Sequence, residues 1–235
     1  MLSFFDRFKK QEYISGLTAD EQILVKNYFN SIRPIKRNFI KDTQLIAIDF
    51  ETTGLDYSKD EIISMGFCPI HNGVIRLADC LHIVIKTENT LTSENVAIHG
   101  LMDDELEQGL SQKKALFKFI ELTQGKIIVA HFHNIERAFI QKLAKQILGK
   151  YLPLSFIDSF EFAKCRMQKT QQVITPESLR LFNLRKQQGL PNYKAHNALE
   201  DAISTAELHM TQTASLNLDA EKIRLMDMGL FNYKS

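Results

Sequence analysis

The chain has 235 residues, 44% of them hydrophobic and 24% charged, which is enough to bury the core of one ordinary domain and too apolar to remain disordered. Its net charge of +1 exerts no global pull on nucleic acid or membrane, so a polyanion has to be met by a local site. No run approaches the roughly 18 apolar residues of a membrane span. The opening "MLSFFDRFKKQEY" lacks the apolar stretch of a secretory leader, and Cys68, Cys80 and Cys165 show no metal-type spacing, so a reduced, cytoplasmic setting is expected.

Residues 1–40 read as a polar helical extension, with Thr18 to Asn30 its best periodic segment and Pro34 breaking the pattern. From Gln44 the character changes. "QLIAIDF" and "EIISMGFCPI" are strand candidates, and "HNG" is a hairpin turn leading into "VIRLA". "CLHIVIKT" is a further strand by its β-branched content. "SQKKALFKFIELTQ" has helical spacing, and the short apolar "KIIVAHF" runs into the helical "IERAFIQKLAKQIL". The strand "LSFID" is followed by helices near Ser159–Met167, Glu177–Gln188 and Asn197–Leu216, and residues 217–235 are expected as a C-terminal helix or tail. Strands first and alternation afterwards predict a mixed sheet with helices packed on it, over residues 41–216.

Two carboxylates interrupt one of the most apolar runs of the chain. Residues two apart on a strand share a face, so Leu45, Ala47, Asp49 and Glu51 face one way and Ile46, Ile48 and Phe50 the other. A pair of acids at the C-terminal end of a sheet strand suits a hard divalent cation. By itself D-x-E is common, and a hydrogen-bonded or edge-exposed pair is the blander reading. A second cluster is "HNALEDA": Asn197 as N-cap with Glu200 at N3 starts a helix between His196 and Asp201, which lets both reach one point. A third, "VAHFHNIERAFI", places His131, His133 and Glu136 at a strand-to-helix junction. A zinc site there lacks a further strong ligand nearby, and Glu136 fits the hard-cation site better. Asp158 ends a strand before a helix, as an N-cap or as a support for that site. "SLRLF" (Ser178–Phe182) has the spacing of a buried helix, with a passing likeness to sliding-clamp peptides.

In order and spacing, "DFETTGLD", "HNIERAFI" and "HNALED" resemble the three motifs of the DnaQ-like DEDD 3′→5′ exonucleases, over roughly Gln44 to Gln212. "AIHGL" (Ala97–Leu101) and "FIDSFEFAK" (Phe156–Lys164) resemble segments carried between those motifs. His196 points to the histidine subtype (DEDDh), since Asn197 stands where the other subtype has tyrosine. The resemblance implies a ribonuclease H-like α/β fold, a mixed five-stranded sheet with helices on both faces. It implies two divalent ions, Mg²⁺ or Mn²⁺, on Asp49, Glu51, Glu136 and Asp201, with His196 as general base. It also implies Thr52, Thr53, Gly54, Leu55 and His99 at the terminal nucleotide. The expected partners are a single-stranded DNA or RNA 3′ end, as substrate, and a DNA polymerase; no membrane is expected. Glu136 departs from the usual aspartate by one methylene, which keeps open a second expectation: a nucleic-acid-binding or polymerase-associated module with attenuated catalysis.

Overall fold

The computed structural model describes residues 16–31, 36–87, 106–193, 197–216 and 219–234. Within them lie six α-helices, α1 (Ala19–Asn30), α2 (Gln112–Thr123), α3 (Asn134–Leu148), α4 (Ser159–Lys169), α5 (Leu181–Gln187) and α6 (Ala198–Ala214). Seven strands form one sheet: β1 (Leu45–Thr52), β2 (Ile62–His71), β3 (Val74–Ile75), β4 (Leu81–Val84), β5 (Ile127–Ala130), β6 (Leu154–Asp158) and β7 (Leu230–Tyr233). The order is β3-β2-β1-β5-β6-β7, with β4 also on the outer edge of β2. β1, β5 and β6 run parallel, whereas β2 and β7 pair antiparallel to their neighbours. The mixed sheet is as expected, but it has seven strands rather than five. The short β3 closes the "HNG" hairpin. β7 arises within residues 217–235, where a helix or tail was expected.

β1 is internal, and its alternation feeds two cores. Ile46, Ile48 and Phe50 pack with Leu116, Phe119 and Ile120 of α2 and with Phe139, Ile140 and Leu143 of α3. Leu45 and Ala47 pack on the opposite face with Ala202 and Ala206 of α6. Helices therefore cover both faces. α1, started by a Thr18–Glu21 capping box, contributes Val25 and Tyr28 to the first core instead of standing apart from it.

The helix expected over Glu177–Gln188 is divided. Arg180 is extended (φ −62°, ψ 142°), so a 3₁₀ turn at Glu177–Leu179 precedes α5. Leu179 and Leu181 are buried and Phe182 packs against them, so the apolar residues of "SLRLF" belong to the core while Arg180 is exposed. Arg185 is fully buried and donates to the Ser204 and Pro191 carbonyls and to Glu207, tying α5 to α6. A buried cation is tolerated only with such partners.

Candidate active site

Three elements deliver acids to one place. β1 carries Asp49 and Glu51 on the face toward α6, and Asp201 projects from the first turn of α6. Carboxylate oxygens of these three lie within 4.8 Å of one another. Asn197 caps α6, its side chain accepting from the Leu199 and Glu200 amides at 3.1 and 3.2 Å. The approach of α6 to the sheet depends on Gly66, which sits opposite Asp49 in the β1–β2 ladder. A Cβ at Gly66 would lie 1.9 Å from the Ala198 carbonyl oxygen, so only glycine lets the helix start this close to the acids. This residue was missed in the sequence, although a lone glycine inside an apolar strand is a recognised mark of close backbone approach.

Glu136 comes from the first turn of α3 and stands outside the 4.8 Å group of three. Its charge nevertheless reaches both β1 acids. Burial pushes the Glu136 carboxyl up to about 8; its own amide partly offsets this, and Asp158 and Glu51 add to the rise. Asp49, partly buried, is raised well above the ordinary carboxylate range by desolvation first and then by the charges of Glu136, Asp201 and Glu51. The buried Glu136 Oε2 has no hydrogen-bond partner. An unpartnered carboxylate oxygen amid mutually repelling acids fits a divalent cation, and an all-oxygen donor set suits Mg²⁺ or Mn²⁺.

Asp158 takes both roles left open for it. It caps α4 by accepting from the Phe160 and Glu161 amides, and it also accepts from the Phe132 and His133 amides across the sheet. Phe132 has a positive φ of 69°, unusual for an aromatic, so Asp158 holds the turn that aims α3 and its Glu136. Burial alone would raise the Asp158 carboxyl; bonds from His133 and these amides outweigh it and hold it low.

The histidines of the second motif are engaged by other partners than the clustered acids. His131 contacts Ser159 Oγ at 2.8 Å and Leu179 O at 3.0 Å, and burial lowers it to about 4, so it is neutral and structural. His133 lies between Asp158 and the Tyr233 hydroxyl, stacked on Phe231. They form no zinc site with Glu136. Tyr233, on the unexpected β7, has no signal in the motifs.

After β1 the chain turns back under the control of Asp60. Its carboxylate accepts from Thr53 Oγ1 at 3.2 Å and the Asp56 amide at 2.8 Å, and it packs against Gly54, where a Cβ would fall 2.5 Å from Asp60 Oδ2. Thr52 Oγ1 donates to Gly54 O at 2.7 Å. Leu55 is left 78% exposed at the turn and lies across a groove from Asn134 and Ile135 at the start of α3. His99 and His196 lie outside the described residues.

A mixed sheet with an acid cluster where its first strand ends and helices on both faces belongs to the ribonuclease H-like nuclease class of folds. The RNase_T family model (Exonuclease) matches residues 46–209, and the chain belongs to this exonuclease family. It is 28% identical over 214 residues to the "DNA polymerase III PolC-type" of Thermotoga petrophila, covering 89% of this chain and 15% of that protein. It is also 28% identical over 162 residues to the "3′-5′ exonuclease DinG" of Staphylococcus aureus, covering 69% of this chain and 17% of that one. The chain thus spans about a sixth of the length of these relatives. Among solved structures it resembles the nuclease domain of 3′hExo, a DEDDh family member bound to rAMP, with a TM-score of 0.63, 14% identity and coverage of 73% and 92%. Exonuclease X in complex with 5′ overhanging duplex DNA is similar at a TM-score of 0.55 and 18% identity, covering 77% and 97%. Among the described residues no helix is long and apolar enough to cross a membrane.

Proposed function

We propose that this chain is a metal-dependent 3′→5′ exonuclease that releases nucleoside 5′-monophosphates from single-stranded 3′ ends. The observation that carries the reading is the convergence of Asp49, Glu51 and Asp201 within 4.8 Å, with the orphaned Glu136 facing them. These four acids are the proposed ligands of two divalent ions. Bound there, such ions lower the pKa of an attacking water and stabilise charge on the attacking and leaving oxygens.

The chain's own groups do the rest. His196, assigned from the H-x-A-x-x-D pattern, accepts the proton of the attacking water, for which a neutral imidazole near pH 7–8 is suited. The stapled turn Thr52–Leu55 presents backbone and the exposed Leu55 side chain to the terminal nucleotide, with His99 a further contact on the resemblance alone. Similarity to the PolC-type and DinG proteins supports a DNA 3′ end and a polymerase or repair context in the cytoplasm; RNA remains within reach of the same chemistry.

The position of Glu136 outside the tight group favours one other reading, a nucleic-acid-binding module with attenuated catalysis. Incubation with 5′-labelled single-stranded DNA and RNA separates the two. Stepwise shortening with Mg²⁺, abolished by chelator and by Asp201→Ala, is the expected result. Binding without shortening at any Mg²⁺ or Mn²⁺ concentration selects the module.

A further inference from the structure

A groove of about 920 Å³ runs between α3 and the turn after β1, the two elements that carry Glu136 and Leu55. Ile135, Ala138, Lys142 and Lys145 recur along α3 at helical spacing, so its wall extends about 15 Å at 1.5 Å per residue. Its charge is one-sided. Arg137, Lys142 and Lys145 line it together with Lys234, and no aspartate or glutamate does.

These cations are not spent on carboxylates among the described residues. Lys142 Nζ donates to the Asp60 carbonyl and Lys145 Nζ to the Gly149 carbonyl, both at 2.9 Å. Arg137 lies over the Tyr233 ring at 4.5 Å, and its buried Nε has no partner. Two exposed aromatic side chains line the groove as well, Tyr57 at 55% exposed and Tyr151 at 50% exposed. Lys145 lies 5.4 Å from the Tyr151 centroid. In a chain of net charge +1 this concentration is local.

We propose that this groove binds a run of several nucleotides of a single strand, upstream of the 3′-terminal residue. Cations at intervals along a wall track a phosphate backbone, and exposed aromatic faces stack bases without regard to sequence. The strand's direction rests on the exonuclease reading, because that reading places the 3′ end beside Leu55 and Glu136. A strand leaving that point meets the N-terminal end of α3 and continues along it. The groove would therefore give the enzyme a preference for oligonucleotides over short fragments, and for single strands whose bases are free to stack.

The test measures fluorescence anisotropy of 3-mer and 12-mer oligothymidylates on the full chain in chelator, which blocks hydrolysis. The double variant Lys142→Ala/Lys145→Ala and the single variant Tyr57→Ala are compared with wild type, each first checked for an unchanged thermal melt. Tyr57 is an exposed turn residue, so it remains informative if the lysine pair disturbs α3. We expect the wild type to bind the 12-mer at least tenfold more tightly than the 3-mer, and each variant to lose most of that gain. The double variant should also lower the salt slope by about 1.4, at roughly 0.7 per phosphate contact on a single strand. Wild-type affinity and slope in both variants would overturn the groove. Poly-glutamate binding as tightly as the 12-mer would overturn it in favour of an acidic peptide. Shortening of the same 12-mer in Mg²⁺ tests the acid centre separately. Groove-dependent binding without shortening would support the groove and refute the exonuclease reading.

Discussion

At Glu136 the longer carboxylate meets a helix whose first turn is aimed by Asp158 through the strained Phe132 turn. The side chain is buried with one oxygen unpartnered, which costs stability that a proton or a bound cation relieves. Glu136→Gln keeps the shape and removes the charge, so exonuclease turnover should fall by at least about 10²-fold, comparable to Asp49→Asn. Glu136→Asp should be intermediate, because α3 is placed for the longer chain. Wild-type turnover in Glu136→Gln, followed on labelled oligonucleotides, would show that this acid is not used. Asp49 and Glu51 stood out in the sequence because a charge inside an apolar strand needs a reason, and Glu136 and Asp201 joined them through the three-motif resemblance. Asp158 was legible as a cap or a support, but its partners were not: His133 reaches it from the β5–α3 turn and Tyr233 reaches His133 from β7, and no local spacing announces such a meeting.

Elements were legible where one periodicity ran unbroken. β1, β2, α1, α2, α3 and α6 follow from alternation, helical spacing and caps. The helix around Glu177–Gln188 divides at Arg180, where tertiary contacts of Leu179 and Leu181 outweigh propensity. β7 has only four residues and takes its register from β6, so a lone sequence segment says little about it. The α6–β2 junction carries the sharpest prediction at this scale. Gly66→Ala would drive a methyl group into the Ala198 carbonyl, and helix and strand would have to part. The cost should be about 3 kcal/mol or more, at the upper end of overpacking effects. Because Asp201 moves with the helix, turnover should collapse even in the folded fraction, although Gly66 itself touches no substrate. Urea unfolding together with activity per folded molecule measures both. A stable, active Gly66→Ala would mean that α6 does not set the distance between Asp201 and β1.

Over the whole molecule, the acid cluster makes stability depend on pH and on divalent cations. A carboxyl whose folded pKa is raised binds its proton more tightly when folded, so stability falls as pH rises from the unfolded value through the folded one. Asp49 and Glu136 both act in this direction, Glu136 up to about 8. Buried His131 and His209, both lowered to about 4, act oppositely, since the unfolded chain takes up their protons first as pH falls below 6.5. The two effects compete below pH 6.5, and above it the carboxylates stand alone. In chelator, stability should therefore fall between pH 6.5 and 8. Glu136 alone supplies about 2 kcal/mol over that span, at about 1.4 kcal/mol per pH unit. For a chain of this size the melting temperature should drop by about 4–8 °C. Glu136→Gln and Asp49→Asn should each flatten the slope and melt higher than wild type at pH 8. Saturating Mg²⁺ should reverse the loss, contributing about 2.7 kcal/mol at a hundredfold excess over Kd. It should do less at pH 6.5, where protons compete for the same oxygens. A melting temperature in chelator that rises from pH 6.5 to 8, or one indifferent to Mg²⁺ at pH 8, would mean that these acids are held by something other than a cation.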